Sequence, residues 1–237
     1  MMKFLWLIIP MLFFFHEGKA QQLQQASEIL TYTVREPKVE IDNPPLLLLL
    51  HGLGSNERDL MPLGEQLDDR FLIVYLRAPY TQRQGRYEWY DVTFTQDGPV
   101  GNDEQAKHSA ELIKQFISAL SNDYDFDSEK IYIGGFSQGG IMSYEVGLAP
   151  DTPVKGLVVL SGRMMNITKE TIREHGIPAV EVFITHGTED QVISIDYARV
   201  AWKLLEEDVR VSYLEYRGAH NVGQSALEAL NKWLGHQ

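Results

Sequence analysis

The chain contains no cysteine. Disulfides, thiol catalysis and thiol-linked lipid anchoring are therefore excluded, and stability has to come from packing alone. Basic residues are scarce as well: 21 Lys and Arg stand against 33 Asp and Glu, a formal net charge of -12. Nucleic-acid binding needs a basic face to neutralise phosphates, so no nucleic-acid partner is expected, and the acidic balance serves solubility. The metal-binding spacings His-x-x-x-His and His-Glu-x-x-His are missing, so no metal site is expected. After the first twenty residues, no repeat, linker or low-complexity run divides the chain.

What is present begins with a leader. Lys3 precedes an apolar run from Phe4 to Phe15, broken only by Pro10, and Gly18-Lys19-Ala20 follows. A basic start, an apolar centre and small residues at the cleavage positions read as a secretory signal peptide over residues 1–20. The run is shorter than the ~20 residues of a spanning helix, so no stable membrane insertion is expected once the leader is cleaved. The mature protein is expected outside the cytoplasm, periplasmic or secreted. Residues 21–237 then read as one domain, with Gln21 to Ala26 as a disordered polar lead-in.

Along this domain, short apolar runs alternate with helical spacing. Leu30 to Arg35 alternates like a strand, and Pro37 nearby suits an edge. Leu46 to Leu50 is apolar throughout, as a strand buried on both faces must be. Further strands are expected at Phe71–Leu76, Ile131–Gly135, Val154–Leu160, Pro178–Thr185 and Arg210–Tyr216. Helices are expected over 56–67, 103–120, 197–206 and 224–234. In the second of these, Ala106, Ala110, Ile113, Ile117 and Leu120 share one stripe. Residues 79–102 show no clear periodicity but carry Tyr80, Tyr87, Trp89, Tyr90 and Phe94. The alternation implies an α/β fold, a mostly parallel central sheet with helices on both faces.

The chemistry gathers where strands end, which is where such sheets form sites. Gly135-Phe136-Ser137-Gln138-Gly139 joins a buried strand to a helical stretch, the context of a nucleophile elbow. Asp190 follows a later strand and His220 the last one. The order Ser, Asp, His is that of an α/β-hydrolase triad. A serine hydroxyl needs a base to take its proton as it attacks. His220 can serve as that base, and Asp190 can hold its tautomer and stabilise the imidazolium. Glu189 and Asp196 are the neighbouring alternatives for the carboxylate. The N–H groups of Leu53, in His51-Gly52-Leu53-Gly54, and of Gln138 are candidates for holding the oxyanion. His51 and His186 read as structural, and His51 as a brace for its loop. His108 and His175 read as surface residues. Asn166-Ile167-Thr168 fits a glycosylation acceptor.

These pieces resemble the phospholipase/carboxylesterase family, which includes the acyl-protein thioesterases. The resemblance rests on Leu50-His51-Gly52-Leu53-Gly54, Arg77-Ala78-Pro79, Glu88-Trp89-Tyr90-Asp91 and Gly134-Gly135-Phe136-Ser137-Gln138-Gly139-Gly140. It continues through Leu160-Ser161-Gly162, His186 to Ile193 and Gly218-Ala219-His220. It implies an α/β-hydrolase fold, the triad Ser137, Asp190 and His220, and oxyanion N–H groups from Leu53 and Gln138. It also implies hydrolysis of esters or thioesters without cofactor or metal, the acyl chain lying in an apolar groove. Leu53, Trp89, Val192 and Ile193 are the candidates for lining that groove.

The expected function is an exported serine esterase for small-molecule esters of short or medium acyl chain. Thioesterases of this family act inside cells on lipidated proteins, which an exported protein would not meet. The alternatives are a feruloyl or acetyl carbohydrate esterase, whose sugar or phenol would stack on the 79–102 aromatics, and an acyl thioesterase or lysophospholipase. A silent binding protein on the same fold is the reading from a different class. The sequence leaves the oligomeric state open.

Overall fold

The computed structural model describes residues 25–96 and 98–237. The expected signal peptide, residues 1–20, lies outside them.

In chain order the elements are α1 (Ala26–Ile29), β1 (Tyr32–Arg35), β2 (Leu46–Leu50), α2 (Met61–Gly64), β3 (Leu72–Leu76), β4 (Tyr80–Arg83), β5 (Arg86–Glu88), β6 (Val92–Thr95) and β7 (Gly98–Gly101). Then come α3 (Asp103–Leu120), β8 (Ile131–Phe136), α4 (Gln138–Gly147), β9 (Gly156–Leu160), α5 (Asn166–His175), β10 (Glu181–Gly187), α6 (Asp196–Leu205), β11 (Val211–Tyr216) and α7 (Gln224–Leu234). Seven strands form the central sheet in the order β1-β3-β2-β8-β9-β10-β11. All its pairings are parallel except β1 with β3, which places β1 at the antiparallel edge.

The leucine run of β2 shows why the sheet is covered on both sides. Side chains alternate across a strand, so Leu46, Leu48 and Leu50 join one core cluster while Leu47 and Leu49 join the other. Burying each is worth about 1.5–3 kcal/mol. On the first face, α3 lays down the buried stripe Ala106, Ala110, Ile113, Ile117 and Leu120. Its start is set by Asn102, whose side chain accepts from Gln105 N at 3.2 Å, with Asp103 and Glu104 complementing the helix dipole. On the second face, α7 buries Leu227, Leu230 and Leu234 against Phe71, Tyr132 and Phe183.

Several regions differ from the sequence-based expectation, among them α5, a helix that was not expected. The helix expected over 56–67 shrinks to α2. Gly64 there packs against the Tyr75 side chain, where a Cβ would meet the hydroxyl at 2.0 Å. Residues 79–102 fold as two hairpins, β4 with β5 and β6 with β7. The lead-in ends in α1, where Ala26 is wholly buried and its N–H donates to Asp123 at 3.3 Å.

Candidate active site

The turn after β8 is fixed by close backbone approach. A Cβ on Gly135 would lie 2.4 Å from the Gly139 carbonyl carbon, and one on Gly139 would lie 2.0 Å from the Leu50 oxygen. Only glycine fits at either place. The chain therefore turns sharply at Ser137, which adopts φ 55° and ψ -117°, a region costly for a residue with a side chain. Its N–H donates to the Leu160 carbonyl at 2.9 Å and its carbonyl accepts from Ile141 N at 3.0 Å. The serine is thus pinned between β9 and α4.

A second close approach brings the other two residues together. A Cβ on Gly187 would lie 2.4 Å from the Gly218 oxygen. Thr188 N donates to the Tyr216 carbonyl at 2.8 Å and Glu189 N to the Gly218 carbonyl at 2.9 Å. The loops after β10 and β11 are laced along their length. As a result, Nδ1 of His220 donates to Oδ2 of Asp190 at 2.7 Å, and Ser137 Oγ donates to Nε2 of His220 at 2.9 Å. The Phe136 ring packs against the imidazole at 4.8 Å between centroids. Glu189 instead pairs with Arg217 at 2.9 Å, and Asp196 opens α6.

Burial by itself pushes the Asp190 carboxyl up. The hydrogen bond from His220 and those from Ile193 N and Val192 N outweigh it and hold the group below the usual carboxylate range. The backbone donors reach Oδ1 at 2.9 and 2.8 Å. Asp190 thus stays ionised beside His220. His186, wholly buried, donates from Nε2 to the Ile193 carbonyl at 2.8 Å and lies 3.2 Å from Asp190 Oδ2.

On the opposite side of Ser137 lies the His51–Gly54 loop. His51 is buried; its Nε2 accepts from Ala78 N at 3.1 Å and its Nδ1 bonds the Gly52 carbonyl at 2.8 Å. Gly54 N donates to the Tyr87 carbonyl at 2.9 Å. Among the described residues, the N–H groups of Leu53 and Gln138 donate to no carbonyl. The Gln138 side chain clamps the next segment, accepting from Trp89 N at 2.9 Å and donating to the Tyr90 carbonyl at 2.7 Å.

A cavity of about 100 Å³ opens beside Ser137, with Leu53, Ile141, Val192 and Ile193 among its apolar walls. Larger cavities, of about 260 and 310 Å³, lie away from these residues, beside α5 and along β11. Trp89 is not part of the wall, and that expectation is corrected. Its side chain is fully buried, and Nε1 donates to the His51 carbonyl at 3.0 Å. A buried indole needs a partner for its N–H and finds it under the His51–Gly54 loop, where it acts as a brace. The sequence reading missed Tyr90, Val92, Pro99 and Arg163, which do line the cavity. Tyr90, one residue past Trp89, was within reach of the aromatic-cluster signal. Arg163 carried no signal beyond its place after a strand.

No group of His, Asp and Glu among the described residues is arranged to hold a metal ion. None of their helices is long and apolar enough to cross a membrane.

Comparison with known proteins gives the same framework. The family model described as Phospholipase/Carboxylesterase matches residues 33–236. Acyl-protein thioesterase 1 of Kluyveromyces lactis is 30% identical over 208 residues, covering 80% of this chain and 90% of the relative. Acyl-protein thioesterase 1 of Mycosarcoma maydis is 28% identical over 203 residues, covering 78% and 85%. Among solved structures, esterase PE8 superposes with a TM-score of 0.76 at 24% identity, covering 87% of this chain and 98% of that one, which shows a shared α/β-hydrolase fold. The chain belongs to the phospholipase/carboxylesterase family and is a carboxylic ester hydrolase of the carboxylesterase/thioesterase type.

Proposed function

We propose that the protein is an exported serine carboxylesterase for esters of short to medium acyl chain, working through an acyl-enzyme. One observation carries this reading: the unbroken line from Asp190 through His220 to Ser137, at 2.7 and 2.9 Å, with Ser137 in the wall of a largely apolar cavity.

In the first half-reaction, Ser137 Oγ attacks the ester carbonyl carbon as its proton passes to His220 Nε2. The oxyanion forms against the N–H groups of Leu53 and Gln138, the latter at the start of α4, where the helix dipole also favours negative charge. The tetrahedral species collapses, the C–O bond to the alcohol breaks, and His220 returns the proton to the departing oxygen. Water then repeats the sequence on the acyl-enzyme and frees the acid. Asp190 remains a carboxylate throughout and steadies the imidazolium.

Pockets for drug-sized ligands run to ~300–1,000 Å³. A cavity of about 100 Å³ favours a small acyl group. Thioester hydrolysis is the second reading, favoured by the thioesterase relatives; the leader and the cramped cavity weigh toward esters. A carbohydrate ester is less well served, because Trp89 offers no free face for stacking.

The acyl-enzyme is tested by stopped-flow mixing with 4-nitrophenyl butyrate. A stoichiometric burst of nitrophenolate before steady turnover is expected, and Ser137→Ala should show none. Turnover by Ser137→Ala equal to wild type would refute the reading. Export is tested by N-terminal sequencing of the protein from its producing cells, expected to start at Gln21; a chain starting at Met1 in the cytoplasm would refute it.

A further inference from the structure

Arg163 lines the cavity that contains Ser137, and it is the one charged side chain among the described residues of that wall. In a chain of net charge -12, a lone cation at this place calls for a reason.

The backbone around it is held firmly. Ser161, at the end of β9, has φ +53°, and Gly162 lies on the first turn of α4, where a Cβ would come within 2.9 Å of the Gly140 carbonyl carbon. Ser161, Gly162, Met164 and Met165 are all buried, while Arg163 alone in this stretch reaches solvent. Strain at a turn persists only where the surroundings over-determine it. The effect here is to offer a single side chain to the cavity from a fixed base.

The guanidinium makes no ion pair and no hydrogen bond among the described residues. It stands with Cζ 5.9 Å from the centroid of the Tyr197 ring, at the outer edge of a cation–π contact, and acts electrostatically on the Tyr90 hydroxyl. Its N–H groups are left without a hydrogen-bond acceptor among the described residues. A planar N–H fork matches a carboxylate in bidentate fashion, and the apolar walls around it strengthen such a pair. The triad's own carboxylate is not available to it, because Asp190 is bonded to His220, Val192 and Ile193.

Resting on the esterase reading of Ser137, we propose that Arg163 sets specificity by binding a carboxylate at the far end of a short acyl chain. The preferred substrates are then monoesters of small dicarboxylic acids. The ester carbon sits at Ser137, the short methylene chain lies against Leu53, Ile141 and Ile193, and the terminal carboxylate meets Arg163.

Four unactivated esters test this at pH 7. Monoethyl succinate is compared with its neutral shape-match, ethyl 4-methylpentanoate, by ethanol release. For the alcohol side, 3-acetoxypropanoate is compared with isopentyl acetate by acetate release. Wild type is expected to favour monoethyl succinate over its match by about tenfold or more in kcat/KM, the scale of one charge-assisted pair. Arg163→Met should erase that ratio, mainly through KM, and Arg163→Lys should retain part of it. Thermal melts of both variants show whether they fold, and Arg163→Lys alone decides if the methionine variant does not. The proposal is overturned if wild type shows no preference, if the preference survives the loss of the guanidinium, or if only the 3-acetoxypropanoate is preferred. Turnover of the neutral esters with no acidic preference sinks this inference and spares the esterase. No turnover of any of the four, with no fluorophosphonate label on Ser137, removes both.

Discussion

His186 Nε2 lies 3.2 Å from Asp190 Oδ2, the same oxygen that receives Nδ1 of His220 at 2.7 Å. The carboxylate is therefore held between two imidazoles, and only one of them faces Ser137. His186 also bonds the Ile193 carbonyl while Ile193 N bonds Asp190 Oδ1, so the three residues close a ring. This makes His186 a positioning residue. Small misplacements of catalytic groups cost up to about a hundredfold in rate. His186→Phe should lower kcat by roughly ten- to a hundredfold with little change in KM, measured on 4-nitrophenyl butyrate. An unchanged kcat in a folded variant would show that Asp190 needs no such support.

Gly139 and Gly52 give opposite expectations. A Cβ at Gly139 would lie 2.0 Å from the Leu50 oxygen and 2.8 Å from the His51 oxygen, whereas one at Gly52 meets nothing closer than 3.5 Å. Gly139→Ala should cost about 1–3 kcal/mol or more in stability and displace the His51–Gly54 loop, abolishing esterase activity. Gly52→Ala should melt at or slightly above the wild-type temperature, because it only restricts the unfolded chain. Denaturant titration of the two variants checks the contrast.

The His51–Gly54 loop is also supported from behind. Arg77 donates to both oxygens of Glu57 at 2.7 Å, and this hydrogen bonding holds the buried Glu57 carboxyl below the usual carboxylate range. The next residue, Ala78, donates its N–H to His51. Arg77 is 29% exposed, so the pair is partly screened by water. Arg77→Met leaves Glu57 with only the exposed Arg58, 3.7 Å away, and should cost about 2–3 kcal/mol, with a fall in kcat as His51 loosens. Urea unfolding followed by fluorescence measures the first, and steady-state kinetics the second.

Acid should weaken the fold in two stages. Burial holds the imidazoles of His51 and His186 below the usual histidine range. Between those lowered values and the ordinary ~6.5, the unfolded chain binds more protons than the folded one. Stability therefore rises with pH across that window and is lost as pH falls through it. Asp190 and Glu57, with folded values held down, add stability above ~4 that disappears as pH drops further through those values. The melting temperature should fall between pH 7 and pH 5, and by less in His186→Gln. Equal falls in variant and wild type would show that His186 does not titrate in this way.

Much of the fold was legible because its signals are local. The stripe in α3, behind the Asn102 cap, sets Asp103–Leu120 at both ends as expected, and the all-leucine β2 admits only a strand covered on both faces. What escaped was held by contacts the sequence does not display. In α5 only Ile167, Thr168 and Ile172 are buried, too few apolar residues for a helical period. The β6–β7 hairpin contains Gly98, Pro99 and Gly101 and is held by main-chain pairing. At the site, Ser137, Asp190 and His220 could be singled out together because each lies in the turn or loop that follows a strand. Trp89 was misplaced because an aromatic beside a motif gives no sign of whether its ring faces the cavity or the loop beneath. Arg163 was missed because its place in the cavity wall is set by the fold and leaves no pattern in the sequence.

Catalysis as proposed depends on the Ser137 hydroxyl being made nucleophilic by His220. Reaction of the purified protein with a fluorophosphonate probe, followed by peptide mapping, tests this most directly. We expect one labelled site, Ser137, with labelling strongly slowed in His220→Ala and absent in Ser137→Ala. Failure of the wild-type protein to take the probe, or a label on any other residue at equal rate, would contradict it.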